Sequence, residues 1–348
     1  MAQFNSTDLF GLNTEQLRIL YSIEYILTQR DIISDQKNAI NKEMWLRQWT
    51  SALTVAMGEN PIAYPQRDGL IHAVQREARL SGNNTWIYLI LLESSLFTPY
   101  LPLGESKDDD KRFAKLKFHD QSEYLKILMD DIGIVDSSYV DRFQKVYKKS
   151  IDRLSNKVQK IALGAASVVA VAGITAATAG ALAGPIAVAL FGSEFAGLSG
   201  AALTSACLAF AGGGAIAAGG AGVAGGVAAI VGGGALLGAA GGGVAVSATN
   251  LIVKNSPELV LTQAAKLEVV LKEVFLNAQQ DIQSAQSIIE IYKQKILQIK
   301  QEADSLKLDK EQDRTMISNM KKSVDYLEKS YKEMVKFESA YELALSAE

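Results

Sequence analysis

The sequence is short of the residues that most enzyme chemistry needs. A single cysteine, Cys207, excludes a disulfide framework and any multi-thiolate metal site. Two histidines, His72 and His119, leave little for metal or acid–base chemistry built on imidazole. Net charge is scarce as well: 35 basic against 38 acidic residues leave −3 over 348 residues, which removes a general electrostatic case for nucleic-acid binding. The first thirty residues carry Asp8, Glu15 and Glu24 and no unbroken apolar core, so they do not read as a secretory signal. The chain is therefore expected to be made in the cytoplasm without a signal peptide and to associate with a membrane on activation.

The largest deficit is local. From Ile161 to Val253, a stretch of 93 residues, the only charge is Glu194, while the other 255 residues carry 72 charges. That outer share, about 28%, is ordinary for soluble domains. The chain thus divides into an N-terminal helical domain over 1–137, a basic amphipathic helix over 138–160, a hydrophobic region over 161–253 and C-terminal antiparallel coiled-coil helices over 254–348.

Before the hydrophobic region the pattern is helical. Asn13 and Gln16 form a capping box opening a helix with Leu17, Leu20, Tyr21 and Leu27 largely on one face. A second helix is predicted from about Ser34 to Met57, stopped by Gly58 and the Asn60–Pro61 step, with shorter ones over Arg67 to Leu80 and Thr85 to Leu96. Glu105 to Arg112 reads as a charged linker, and its run Asp108 to Asp110 lacks the alternating spacing of a calcium loop. Val140, Phe143, Tyr147, Ile151, Leu154, Val158 and Ile161 then define one helix running from Ser138 into the hydrophobic region. Its opposite face carries Arg142, Lys145, Lys148 and Lys149, continued by Arg153, Lys157 and Lys160, against only Asp141 and Asp152. A strip of that kind suits anionic lipid head groups; it also suits the solvated face of a bundle helix.

Ile161 to Gly184 is long enough to span a bilayer, for which about 20 apolar residues suffice. After Gly192-Ser193-Glu194, read as a hairpin tip, the uncharged run continues to Val253, divided by glycine clusters at 212–214, 232–234 and 241–243. Of the 93 residues 22 are Gly and 30 Ala, so the spans are weakly hydrophobic and suit a region that is hidden in water and exposed later. Small residues recur every fourth position at Gly214, Ala218, Gly222 and Gly226, resume at Gly234, Gly238 and Gly242, and include Gly180 and Gly184 earlier. Such a face lets helix backbones approach closely in lipid. Gly220, Gly222 and Gly225 match GxGxxG, but no acidic residue follows at the distance a dinucleotide site needs. Gly197 to Ala201 fails the nucleophile elbow at its last position, and Cys207 has no neighbour to activate it.

After the region, Ser256-Pro257-Glu258 is a strong helix start. Leu267, Leu271, Val274 and Ala278, then Ile282, Ala285, Ile289 and Tyr292, and on through Ile296, Ile299, Ala303 and Leu306, read as a coiled-coil seam with a local unwinding at the Ala278 to Ile282 step. Residues 307–313 break it, and Ile317, Met320, Val324, Leu327, Tyr331 and Met334 resume it, so two antiparallel helices are expected.

The order of amphipathic helix, apolar hairpin region and long amphipathic helices resembles the α-helical pore-forming toxins of the cytolysin A and haemolysin BL type. The glycine-rich tract also resembles the membrane-addressing segment of apolipoprotein L proteins. The resemblance implies an all-α, elongated helical bundle with a Gly/Ala-rich hydrophobic hairpin region, and a membrane-inserting, pore-forming effector that acts after a trigger, in attack on other cells or in self-directed defence. Its expected partners are a lipid membrane and a homo-oligomer or helical partner engaged through 258–345, with no nucleic acid and no cofactor. The alternative is a constitutive membrane-anchored scaffold recruiting a partner through the coiled coil. No catalytic constellation is present in the sequence, and an enzyme is not expected.

Overall fold

The structure is a computed structural model that describes residues 10–57, 60–101, 103, 106–155, 231–237, 253, 257–306 and 314–347. Among these residues every regular element is a helix. The order is α1 (Thr14–Ser34), α2 (Ala39–Met57), α3 (Arg67–Leu80), α4 (Thr85–Leu96), α5 (Lys107–Phe113), α6 (Gln121–Ile132) and α7 (Tyr139–Leu154). A 3-10 turn (Val231–Leu236) follows, then α8 (Pro257–Val269) with a π-helical continuation (Val270–Ala278), α9 (Ile282–Leu306) and α10 (Arg314–Ser346).

Local chemistry explains the element ends. The Asn13 side chain accepts from the Gln16 N–H at 2.8 Å and the Gln16 side chain from the Asn13 N–H at 3.1 Å, so the capping box starts α1. Both side chains also donate to Glu77 Oε1 at 3.0 Å, which ties that cap to α3. The Asp35 N–H closes α1 on the Asp31 carbonyl at 3.0 Å, so the helix expected from Ser34 begins only at Ala39. The charged segment expected to be a linker forms α5. Its acids Asp108, Asp109 and Asp110 occupy the first turn and Lys111 and Arg112 the last, the arrangement that suits the helix dipole, and Phe113 anchors it in the core. Asp110 further accepts from the Leu103 N–H at 2.9 Å, and Asp109 from Gln48 at 3.1 Å. Helix α6, unassigned from sequence, ends at Gly133 in the left-handed region.

Two helices lie at the centre. α4 (TWIYLILLESSL) is apolar on nearly all sides and buried on nearly all sides. α8 is buried from Leu259 to Val269 although it carries Thr262, Gln263, Lys266 and Glu268. α7 packs on both, and the Val231–Leu236 turn sits against both. Within the N-terminal helices, buried Asp31 accepts from Lys42 at 2.6 Å, Tyr100 at 2.5 Å and the His119 N–H at 3.0 Å, tying α1 and α2 to the segment before α6.

The C-terminal seam is present with one correction. Ile289, Tyr292, Ile296, Ile299 and Ala303 of α9 are buried with Met320, Leu327 and Met334 of α10. Lys300 pairs with Glu328 and Gln286 with Glu342, so stepping back along α9 steps forward along α10 and the helices are antiparallel. The seam does not run from Leu267 to Leu306 with a mere unwinding, because the helix ends. Gln279 N–H closes on Val274 at 2.9 Å, Asp281 N–H on Phe275 at 2.8 Å, and Gln280 between them takes a positive φ of 53°. Asp281 then caps Ser284 at 3.0 Å to start α9.

Candidate functional site

The expected head-group strip lies on α7, whose other face buries Val140, Phe143, Tyr147 and Leu154. The structure divides the strip. Arg142 stacks over the Tyr139 ring at 4.5 Å and meets Glu273 at 2.6 Å. Arg153 grips both oxygens of the buried Glu268 carboxylate, which also accepts from Ser150 at 2.5 Å. Burial pushes the Glu268 carboxyl above the usual carboxylate range in spite of these donors. The two arginines therefore tie α7 to α8 and its continuation. Lys145 and Lys149 stay exposed at a cleft of about 540 Å³ lined also by residues of α8, its π-helical continuation and α10, whereas Lys148 is exposed outside it. Lys157 and Lys160 lie outside the described residues.

Of the glycines expected to line helix contacts, Gly234 is described; Gly180, Gly184, Gly214, Gly222, Gly226, Gly238 and Gly242 lie outside the described residues, as do the candidate hairpin tip and both ends of the hydrophobic region's first span. Gly234 is buried in the Val231–Leu236 turn between α4 and α8, beside buried Val231, Leu236 and Leu237. The turn depends on its glycines. Gly232 and Gly233 have φ of 61° and 86°, and a Cβ on Gly233 would stand 2.5 Å from the Gln263 carbonyl and 2.8 Å from the Leu267 nitrogen.

A buried ion pair holds the turn in place. Glu93 of α4 accepts from Lys266 Nζ of α8 at 2.6 Å through one oxygen and from the Gly232 N–H at 2.9 Å through the other. Both side chains are fully buried, so this carboxylate joins α4, α8 and the hydrophobic region at one point. Its nearness, second to burial itself, pushes the Tyr147 hydroxyl well above the usual phenol range. Beside it the Gln263 amide makes no hydrogen bond among the described residues. Sequence reasoning passed over Glu93 and Lys266. The signal was charge inside apolar windows, Glu93 alone in its helix and Lys266 with Glu268 in α8, which states that partners exist without saying where.

Among the described residues no helix is long and apolar enough to cross a membrane, and no group of three metal-ligating side chains occurs. Comparison with family models, with curated proteins and with solved structures found no match for this chain.

Proposed function

We propose that the protein is a membrane-inserting, pore-forming helical effector without enzymatic activity, in which the Gly/Ala-rich region 161–253 is the inserting hairpin element and the helices around it form an elongated bundle that stores it. The observation that carries this reading is the near-uncharged 93-residue region, one segment of which lies in the helical core on the Glu93–Lys266 pair. The contact sets apolar burial against the cost of buried polar groups. Burying Val231, Leu236 and Leu237 stabilises it by about 1.5–3 kcal/mol each. Against that, the buried ion pair must offset its own desolvation, and the unbonded Gln263 amide costs about 1–3 kcal/mol. A trigger that disturbs this point releases the region, and its glycine face then packs helices in an assembled membrane form. The reading is favoured over a constitutive scaffold because the seam of α9 and α10 is occupied within the chain itself.

The test is dye leakage from anionic liposomes with the full chain and two variants of opposite sign. Gly233→Ala forces the turn off α8 and is expected to speed leakage; Gln263→Leu removes the unbonded amide and is expected to slow it. Absence of vesicle binding and leakage for the wild type and for Gly233→Ala overturns the reading.

A further inference from the structure

The cleft between α7 and α10 has more positive charge than its own carboxylates use. Arg142, Lys145, Lys149, Arg153 and Lys272 line it against Glu268, Glu273 and Glu333, a surplus of two positive charges. Each carboxylate is already engaged. Glu268 is held by Arg153 and Ser150, Glu273 by Arg142 and by Asn277 at 3.0 Å, and Glu333 lies 3.4 Å from Lys336 and 3.9 Å from Arg153. The surplus therefore resides on the lysines. Lys145 and Lys149, one turn apart on α7, have no ion pair or hydrogen bond among the described residues. Lys272, at the same cleft, lies over the Phe337 ring at 4.9 Å and 3.9 Å from a Glu273 that Arg142 already occupies.

Concave walls concentrate the potential of such a group, where a convex helix face would spread it. An ammonium on a flexible stem has three donors and adapts to the tetrahedral oxygens of phosphate. The cleft's volume, about 540 Å³, is within the range of small-ligand sites. A phosphate monoester has a second ionisation near pH 6 and approaches two negative charges at neutral pH, whereas a diester stops at one.

We propose that this cleft is a receptor for a dianionic phosphate monoester, presented either as a lipid headgroup or as a free phosphorylated small molecule, with Lys145, Lys149 and Lys272 as its ligands. The lipid form rests on the membrane-inserting reading; the site itself does not.

The soluble probe is glycerol 3-phosphate, titrated calorimetrically into the full chain at low salt. Binding is expected, weakened about tenfold or more by Lys145→Ser with Lys149→Ser, which removes two charge-assisted contacts, and less than about twofold by Lys148→Ser with Lys321→Ser, which removes equal charge from exposed sites off the cleft. Melting curves of both doubles are expected to match the wild type. The second arm compares phosphatidylcholine vesicles carrying phosphatidic acid, a monoester, with vesicles carrying phosphatidylglycerol, a diester, at equal surface charge. A preference for phosphatidic acid that glycerol 3-phosphate competes away supports the headgroup as the source. Soluble binding without that preference supports the free monoester and overturns the headgroup. No binding of glycerol 3-phosphate by the wild type, or equal loss in the two doubles, overturns the site. Leakage from phosphatidylglycerol vesicles offers no monoester, so it reports on insertion alone and keeps failure of the site distinct from failure of the insertion reading.

Discussion

Gly233 has no room for a side chain, because the backbone of α8 stands where its Cβ would be. Gly233→Ala is expected to lower stability by about 1–3 kcal/mol, read as a fall in melting temperature. Gly69→Ala meets no atom and is expected to be neutral or up to about 1 kcal/mol stabilising. Equal melting of the two would show that the turn does not sit on α8. At Glu93, removing only the cation by Lys266→Met leaves a buried carboxylate without its ion-pair partner, and a loss of about 3–5 kcal/mol is expected in urea unfolding. Adding Glu93→Gln keeps an acceptor for the Gly232 N–H and removes the charge, so the double variant is expected to recover most of that loss. Glu268 gives a pH test. Its carboxyl is raised by burial, so the folded chain takes up that proton at a higher pH than the unfolded chain. The stability this confers is complete below the unfolded-state value, about pH 4, and is lost as pH rises through the folded one. Wild type is therefore expected to lose stability relative to Glu268→Gln as pH rises through that window, and a difference independent of pH would contradict it.

At the scale of elements, the parts written in local chemistry were legible. The capping box at Asn13 and Gln16 starts α1, and the limits expected for α3 and α4 coincide with Arg67–Leu80 and Thr85–Leu96. Each has a strong stop or start within a few residues. The parts settled by remote contacts were not legible. α5 looks like a solvated charge run until Phe113, Gln48 and Leu103 supply it with a core anchor and hydrogen bonds. The break after Ala278 fitted the heptad arithmetic as one extra four-residue step, and only the backbone shows that Gln280 turns left-handed there. Gln280→Gly, which removes the steric cost of that conformation, is expected to raise stability by about 0.5–1 kcal/mol. A fall would mean that the turn relies on the glutamine side chain.

On the scale of the whole molecule, the hydrophobic region links two sets of helices that pack together through α4, α7 and α8. If it inserts as proposed while both flanks stay out of the bilayer, it crosses an even number of times and returns Lys254 to the side of Lys160. Protease protection is expected to place α7 and α9 on the same side of the vesicle, and opposite sides would refute the hairpin. Composition and periodicity, which every helix shares whatever its neighbours, were enough by themselves to determine the all-helical class, the 93-residue region nearly devoid of charge, the basic face of α7 and the seam of α9 and α10. Partnership across the chain was not. Only tertiary structure decided that Arg142 and Arg153 point inward to Glu273 and Glu268 while Lys145 and Lys149 have no ion pair among the described residues, and that Glu93 meets both Lys266, 173 residues away, and Gly232. The reason is physical: a buried charge announces in sequence that it requires a partner, but which group satisfies it depends on helix packing that no local pattern encodes.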